Sequence, residues 1–250
     1  MIHSFLLIGQ SNMAGRGFLE EANPINNDRI YILRNGRWIR MFRPINPDRA
    51  FSGVSLAESF AERYAAEHDV DVGLICCADG GTRLNQWEPG GLLFDHAVYQ
   101  AKLAQRTSTI VGILWHQGEA DCSPEFYPTY RQRFETMISA LRQALDLPDV
   151  PLLVGGLGDF LINYADPEKF KNYTFINTAL QEIAANSDLT DFVSAEGLTG
   201  NPDNLHFNAK SLYEFGIRYF DAFEKLRNAN QVFEEKTTTE GILQSNLELL

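Results

Sequence analysis

The 250-residue sequence predicts an α/β protein, a three-layer α/β/α sandwich around a central, mainly parallel five-stranded sheet. Three observations carry the prediction. Short apolar runs of strand length recur along the chain, amphipathic stretches separate them, and the alternation persists almost to the C-terminus. Apolar runs bounded by small or polar residues suit strands buried on both faces, and intervening helices imply right-handed crossovers that place a helical layer on each side. A hydrophobic content of 44% is enough for one domain with a full core.

The predicted strands are residues 2–8, 72–77, 110–115, 152–155 and, less sharply bounded, 191–194. Helical periodicity marks 55–68, where Leu56, Phe60 and Tyr64 share a face, and then 94–105, 126–145, 175–185 and 210–226. Residues 15–53 break this rhythm. Within them, 29–34 and 37–41 flank Asn35-Gly36, a hairpin signal, and the segment reads as an insertion beside the mouth of a site. The domain is expected to span 1–227. The polar tail at 228–250 ends in Leu247, Leu249 and Leu250, and reads either as a frayed terminus or as a segment that packs on a neighbouring subunit or covers part of the fold, which leaves a homo-oligomer open.

Charge narrows the classes of partner. With 21 Lys+Arg against 33 Asp+Glu the formal net charge is -12, which repels nucleic-acid phosphates and anionic membranes at long range. The first apolar run ends at Gly9, short of the roughly 20 residues a membrane span needs, and no basic segment precedes it. Three cysteines, Cys76, Cys77 and Cys122, form no disulfide framework. A cytoplasmic location is the expectation.

Four segments carry chemistry. Gly9-Gln10-Ser11-Asn12-Met13-Ala14 follows the first strand, so Ser11 is expected at the carboxyl edge of the sheet, where ligands bind and a following turn offers free N–H groups. Ala78-Asp79-Gly80-Gly81-Thr82 follows the second strand, with Trp87 further on. Its glycines either bring backbone N–H groups to a developing oxyanion or make an ordinary turn. Trp115-His116-Gln117-Gly118-Glu119 ends the third strand. There Gln117 is suited to donate to an oxyanion, and Glu119 to accept from hydroxyl groups. His116, Glu119 and Cys122 are spaced three apart, yet no paired Cys/His motif supports zinc. Finally, Asp203 lies three residues before His206, where it either orients the imidazole or caps the next helix.

Together these blocks, in this order, resemble the SGNH hydrolase superfamily with its flavodoxin-like fold. Within it they resemble the sialate O-acetylesterase and acetylxylan esterase branch, carbohydrate esterase family six. The resemblance implies Ser11 as nucleophile, His206 as general base and Asp203 as the acid that orients it. It implies an oxyanion hole from the Ser11 N–H, a Gly80 or Gly81 N–H and the Gln117 side chain, with Gln10, Asn12, Thr82, Glu119 and Trp87 binding or supporting. Glu119 is a second candidate for the acid partner of the histidine. Ala120 departs from the pattern, since relatives often carry Ser there. The implied reaction is two-step removal of O-linked acetyl groups from carbohydrates, with no metal or organic cofactor.

For the sugar, Trp38, Trp87 and Trp115 are candidate stacking platforms, while Arg16, Arg43 and Arg83 are candidate partners for a substrate carboxylate. Two other functions fit the same residues. A general short-chain ester or lipid hydrolase would tolerate longer acyl groups, although no apolar lid is evident. A noncatalytic carbohydrate-binding protein would be favoured by loss of Ser, His or Asp, and all three are present.

Overall fold

The computed structural model describes residues 1–230. All but the first three residues of the predicted tail, with Leu247, Leu249 and Leu250, lie outside the described residues. The strands are β1 (Ile2–Gly9), β2 (Ile30–Arg34), β3 (Arg37–Arg40), β4 (Asp71–Cys76), β5 (Thr109–His116), β6 (Leu152–Gly155) and β7 (Thr190–Val193). They form one sheet of order β3-β2-β4-β1-β5-β6-β7, in which only the β2–β3 pairing is antiparallel.

The five predicted strands are therefore contiguous, but the sheet has seven. The correction lies in the hairpin, which is not merely an insertion beside the site. β2 pairs in parallel with β4, from Ile30↔Val72 to Ile32↔Leu74, and β3 closes the edge. Ile30 and Ile32 join the same apolar layer as Phe60 and Leu74, so burial recruits the hairpin, and the helical stretch at 56–68 makes the crossover to β4.

Among the described residues seven α-helices accompany the sheet: α1 (Ser11–Ala14), α2 (Leu56–His68), α3 (Leu92–Ala104), α4 (Tyr130–Leu145), α5 (Pro167–Phe170), α6 (Tyr173–Ala185) and α7 (Ala209–Asn230). α2 and α7 cover one face, while α3, α4 and α6 cover the other, giving the three expected layers. On the first face the Phe5 ring meets Phe60, Tyr64 and Phe223 edge-on, with centroids 4.7, 4.8 and 5.5 Å away. Truncating such a buried ring costs about 3–5 kcal/mol.

α2 begins in a capping box. The Ser55 hydroxyl accepts from the Ala57 N–H, and Glu58 accepts from the Ser55 N–H at 3.0 Å. Burial raises the Glu58 pKa against the pull of Arg43, whose Nε donates to its other oxygen at 2.6 Å. Arg43 thus ties residues 15–53 to α2 and is not free to meet a substrate carboxylate.

Among the described residues no helix is long and apolar enough to cross a membrane, and Cys76, Cys77 and Cys122 are free thiols.

Candidate active site

The first strand delivers Ser11 through a turn that only glycine fits. Gly9 has φ +129°, and a Cβ there would lie 2.1 Å from the His116 carbonyl oxygen. That same carbonyl accepts from the Gln10 N–H at 2.9 Å, which locks the end of β1 to β5. Ser11 then opens α1 at the carboxyl edge of the sheet, where its N–H has no intrahelical partner.

His206 arrives from the loop before α7. Its Nε2 lies 3.1 Å from Ser11 Oγ, and its Nδ1 lies 2.6 Å from Asp203 Oδ2. Asp203 Oδ1 accepts from the backbone N–H groups of Leu205 and His206 at 2.9 and 3.0 Å. Burial alone would raise the Asp203 pKa. The hydrogen bonds from the His206 ring and from the two backbone N–H groups outweigh it and hold the carboxyl at about 2. A fixed carboxylate on Nδ1 leaves Nε2 to take a proton from serine.

Asn12 joins three parts of the site. Its Oδ1 accepts from the Phe207 N–H at 3.1 Å, and its Nδ2 donates to the Leu205 carbonyl at 3.2 Å and to Glu119 Oε1 at 2.5 Å. Glu119 therefore braces Asn12, and the acid beside His206 is Asp203. The second Glu119 oxygen is buried in the wall of the cleft without a partner among the described residues. His116 is buried, which lowers its pKa, and its Nε2–H donates to the Gly156 carbonyl at 3.1 Å. Among the described residues no three His, Cys, Asp or Glu side chains are grouped to hold a metal ion.

Several predicted site residues are placed elsewhere. Gln117 is fully buried, and its amide donates to the Thr82 carbonyl at 3.0 Å and to Asp121 Oδ2 at 2.5 Å. Both amide hydrogens are thereby engaged, so Gln117 is not an oxyanion donor here. It braces the Gly80–Thr82 loop from below. Thr82 belongs to that brace, since its hydroxyl donates to the Asp79 carbonyl and accepts from Trp87 Nε1 at 3.2 Å. Trp87 and Trp115 are buried edge-to-face partners with centroids 5.7 Å apart, and Trp38 packs on Gly73 near the amino end of β4. None of the three is a sugar platform at the cleft.

Asp48, from the segment 15–53, was not visible as a site residue. Its carboxylate accepts from both terminal nitrogens of Arg16, at 3.0 and 2.7 Å, from the Ser52 hydroxyl at 2.8 Å and from the Gly80 N–H at 2.8 Å. Burial raises the Asp48 pKa, but these donors outweigh it and the net shift is downward. Arg16 is accordingly committed, and so is the Gly80 N–H. The Ser11 and Gly81 N–H groups remain, and Gly81 (φ +75°) faces open space.

These groups line a cleft of about 490 Å³. Gln10, Glu119, Leu205 and Phe170 contribute to its walls, and four cations, Arg16, Arg49, Arg83 and Lys169, surround it. Arg49 pairs with Asp79 at 2.8 Å, whereas Arg83 and Lys169 are exposed and lie over the rings of Phe126 and Tyr164. A protein of net charge -12 thus presents a basic rim at its cleft.

An α/β/α sandwich with a strand-end serine hydrogen-bonded to a His–Asp pair has the makings of a hydrolase of the SGNH type. The family model described as carbohydrate esterase, sialic acid-specific acetylesterase, matches residues 1–225, and the chain belongs to that family of carbohydrate esterases. A probable carbohydrate esterase of Arabidopsis thaliana is 26% identical over 245 residues, which cover 88% of this chain and 89% of the relative. The X-ray structure of that Arabidopsis protein has a TM-score of 0.80 at 25% identity, covering 89% of this chain and 98% of the other. The crystal structure of NanS shares the fold at a TM-score of 0.71 and 16% identity, covering 92% of this chain and 98% of the other. So does a carbohydrate acetylesterase from Xanthomonas citri, at 0.68 and 18%, covering 92% of this chain and 57% of the other.

Proposed function

We propose that the chain is a serine esterase that removes O-linked acetyl groups from carbohydrates through an acetyl-enzyme. The observation that carries the reading is the line Ser11 Oγ–His206 Nε2–Asp203, at 3.1 and 2.6 Å, opening on the cleft. Ser11 Oγ attacks the ester carbonyl carbon while His206 Nε2 takes its proton, and the carbonyl oxygen becomes an oxyanion. The Ser11 and Gly81 N–H groups donate to that oxygen. As the carbon–oxygen bond to the sugar breaks, His206 returns the proton to the departing alkoxide. Water then attacks the acetyl-serine with His206 again as base, releasing acetate and restoring Ser11.

Asp203 keeps Nδ1–H aimed at a negative partner and stabilises the imidazolium formed at each step. The basic rim and the unpartnered Glu119 oxygen suit a hydroxyl-rich substrate. A cytoplasmic setting fits the three free thiols.

The test is hydrolysis of p-nitrophenyl acetate and butyrate by the wild type and Ser11→Ala, with acetate release from acetylated xylan and O-acetyl sialic acid alongside. Acetate-selective activity that disappears in Ser11→Ala is the expected result. Activity retained in the variant, or absent from the wild type on every ester, overturns the reading.

A further inference from the structure

A second cleft, of about 470 Å³, opens beside the first and has no part in the chemistry just described. Its floor is apolar, formed by Leu33, Ile45 and Ile75, and polar side chains from several segments, Asn46, His96 and Gln100 among them, converge on it. The two clefts share one wall. Asp48 and Asp79 line the second, and their chain neighbours Arg49 and Gly80 line the first. The wall is thin, because a Cβ on Gly80 would lie 3.4 Å from the Ser11 Cβ while the Gly80 N–H bonds Asp48 at 2.8 Å. It is also rigid, since Asp48 is paired with Arg16 and Asp79 with Arg49.

Asn46 supplies the second observation. It is 6% exposed, its Nδ2 donates to the Ala78 carbonyl at 2.9 Å, and its Oδ1 is buried without a partner among the described residues. A buried acceptor left unsatisfied is costly, so this position favours a donor, from solvent or from a ligand. A pyranose fits what the cleft offers. Its C–H faces suit the apolar floor, and its hydroxyl groups donate to an acceptor such as Asn46 Oδ1 and accept from rim groups such as Gln100.

We propose that the second cleft binds the neighbouring sugar unit of the acetylated glycan, so that the chain acts on oligosaccharides across the Asp48–Gly80 wall and not on single sugars alone. The inference rests on the esterase reading for its catalytic consequence. The binding itself does not.

The experiment compares the wild type with a His96→Ala/Gln100→Ala variant, neither position belonging to the catalytic machinery. Substrates are acetylated xylose against acetylated xylotetraose, and free O-acetyl sialic acid against its sialyllactose form, with p-nitrophenyl acetate as the small ester. A kcat/KM about tenfold higher for an oligosaccharide than for its single sugar, falling to the single-sugar value in the variant while p-nitrophenyl acetate turnover holds, is expected (about 1.4 kcal/mol). Equal kcat/KM for single and linked sugars in the wild type overturns the proposal, as does a loss that p-nitrophenyl acetate shares. If no ester is cleaved at all, the esterase reading fails separately. Binding of unacetylated xylotetraose and sialyllactose to the wild type, followed by NMR shifts of the His96 ring, then decides the cleft: shifts support it, and their absence overturns it.

Discussion

Asn12 accepts from the Phe207 N–H at 3.1 Å, and so the residue next to the candidate nucleophile holds the residue next to the candidate base. Ser11 and His206 come from opposite ends of the chain, and this bond, with the one from Asn12 Nδ2 to the Leu205 carbonyl, fixes their separation. Asn12→Ala removes both and strips Glu119 Oε1 of its donor. A displacement of about 1 Å at a catalytic pair costs roughly 100-fold in rate, so kcat on p-nitrophenyl acetate should fall by about that factor with KM little changed. Leaving buried polar groups unsatisfied costs about 1–3 kcal/mol each, and thermal melting should register a loss of several degrees.

Asp203→Asn separates orientation from charge. The amide keeps the side chain's size but selects the wrong tautomer of His206, and kcat should fall on the order of 1,000- to 10,000-fold. The pH dependence of stability has a definite sign. The folded carboxyl, held at about 2, lies below the roughly 3.9 of an unfolded aspartate, so its contribution is present above the unfolded value and is lost as pH falls through the folded one. Urea unfolding of the wild type between about pH 4 and pH 2 should therefore weaken with acidification more steeply than that of Asp203→Asn.

What the sequence revealed depended on how local the signal was. The Asp203–His206 pair was legible because three residues of spacing already bring carboxylate and imidazole together, and Ser11 because an apolar run stops abruptly before it. Gln117 sits in an equally suggestive place, but its direction is decided by Asp121, the Thr82 carbonyl and the Tyr130 hydroxyl, the last 13 residues away on α4. The hairpin was legible as a hairpin from Asn35-Gly36, whereas its place in the sheet depends on a parallel pairing with β4 that no local pattern encodes. Asp48 gave no signal at all. Its partners Arg16 and Gly80 each lie 32 residues away along the chain, in opposite directions.

Asp48→Ala should destabilise more than any other substitution at the cleft. Arg16 and Asp48 have side chains only 3% and 5% exposed, and removing one partner of a buried pair costs about 3–5 kcal/mol because the other charge stays buried. Asp48→Asn keeps an acceptor for Gly80 while removing the charge, and it should retain more activity than Asp48→Ala at equal folded fraction. Urea midpoints establish the folded fraction, and kcat on p-nitrophenyl acetate measures how far the Gly80–Gly81 loop has shifted. Equal kcat in the two variants would mean that the Asp48–Gly80 bond does not position the loop.

The basic rim makes the last prediction, because it separates acidic from neutral sugars. Arg83 and Lys169 line the cleft and have no carboxylate partner among the described residues, each lying instead over an aromatic ring. A substrate carboxylate reaching both would form charge-assisted hydrogen bonds, stronger than those to a neutral hydroxyl. Solvent screens exposed charges, which limits each to about 0.2–1 kcal/mol. Arg83→Ala/Lys169→Ala should therefore lower kcat/KM for O-acetyl sialic acid by about tenfold at low salt, chiefly through KM. The gap between variant and wild type should narrow as ionic strength rises and the Debye length shortens to about 3 Å near 1 M. Acetylated xylose and p-nitrophenyl acetate carry no charge, so their kcat/KM should be unchanged. A loss of equal size on the neutral esters would show that the two side chains shape the cleft and do not read charge.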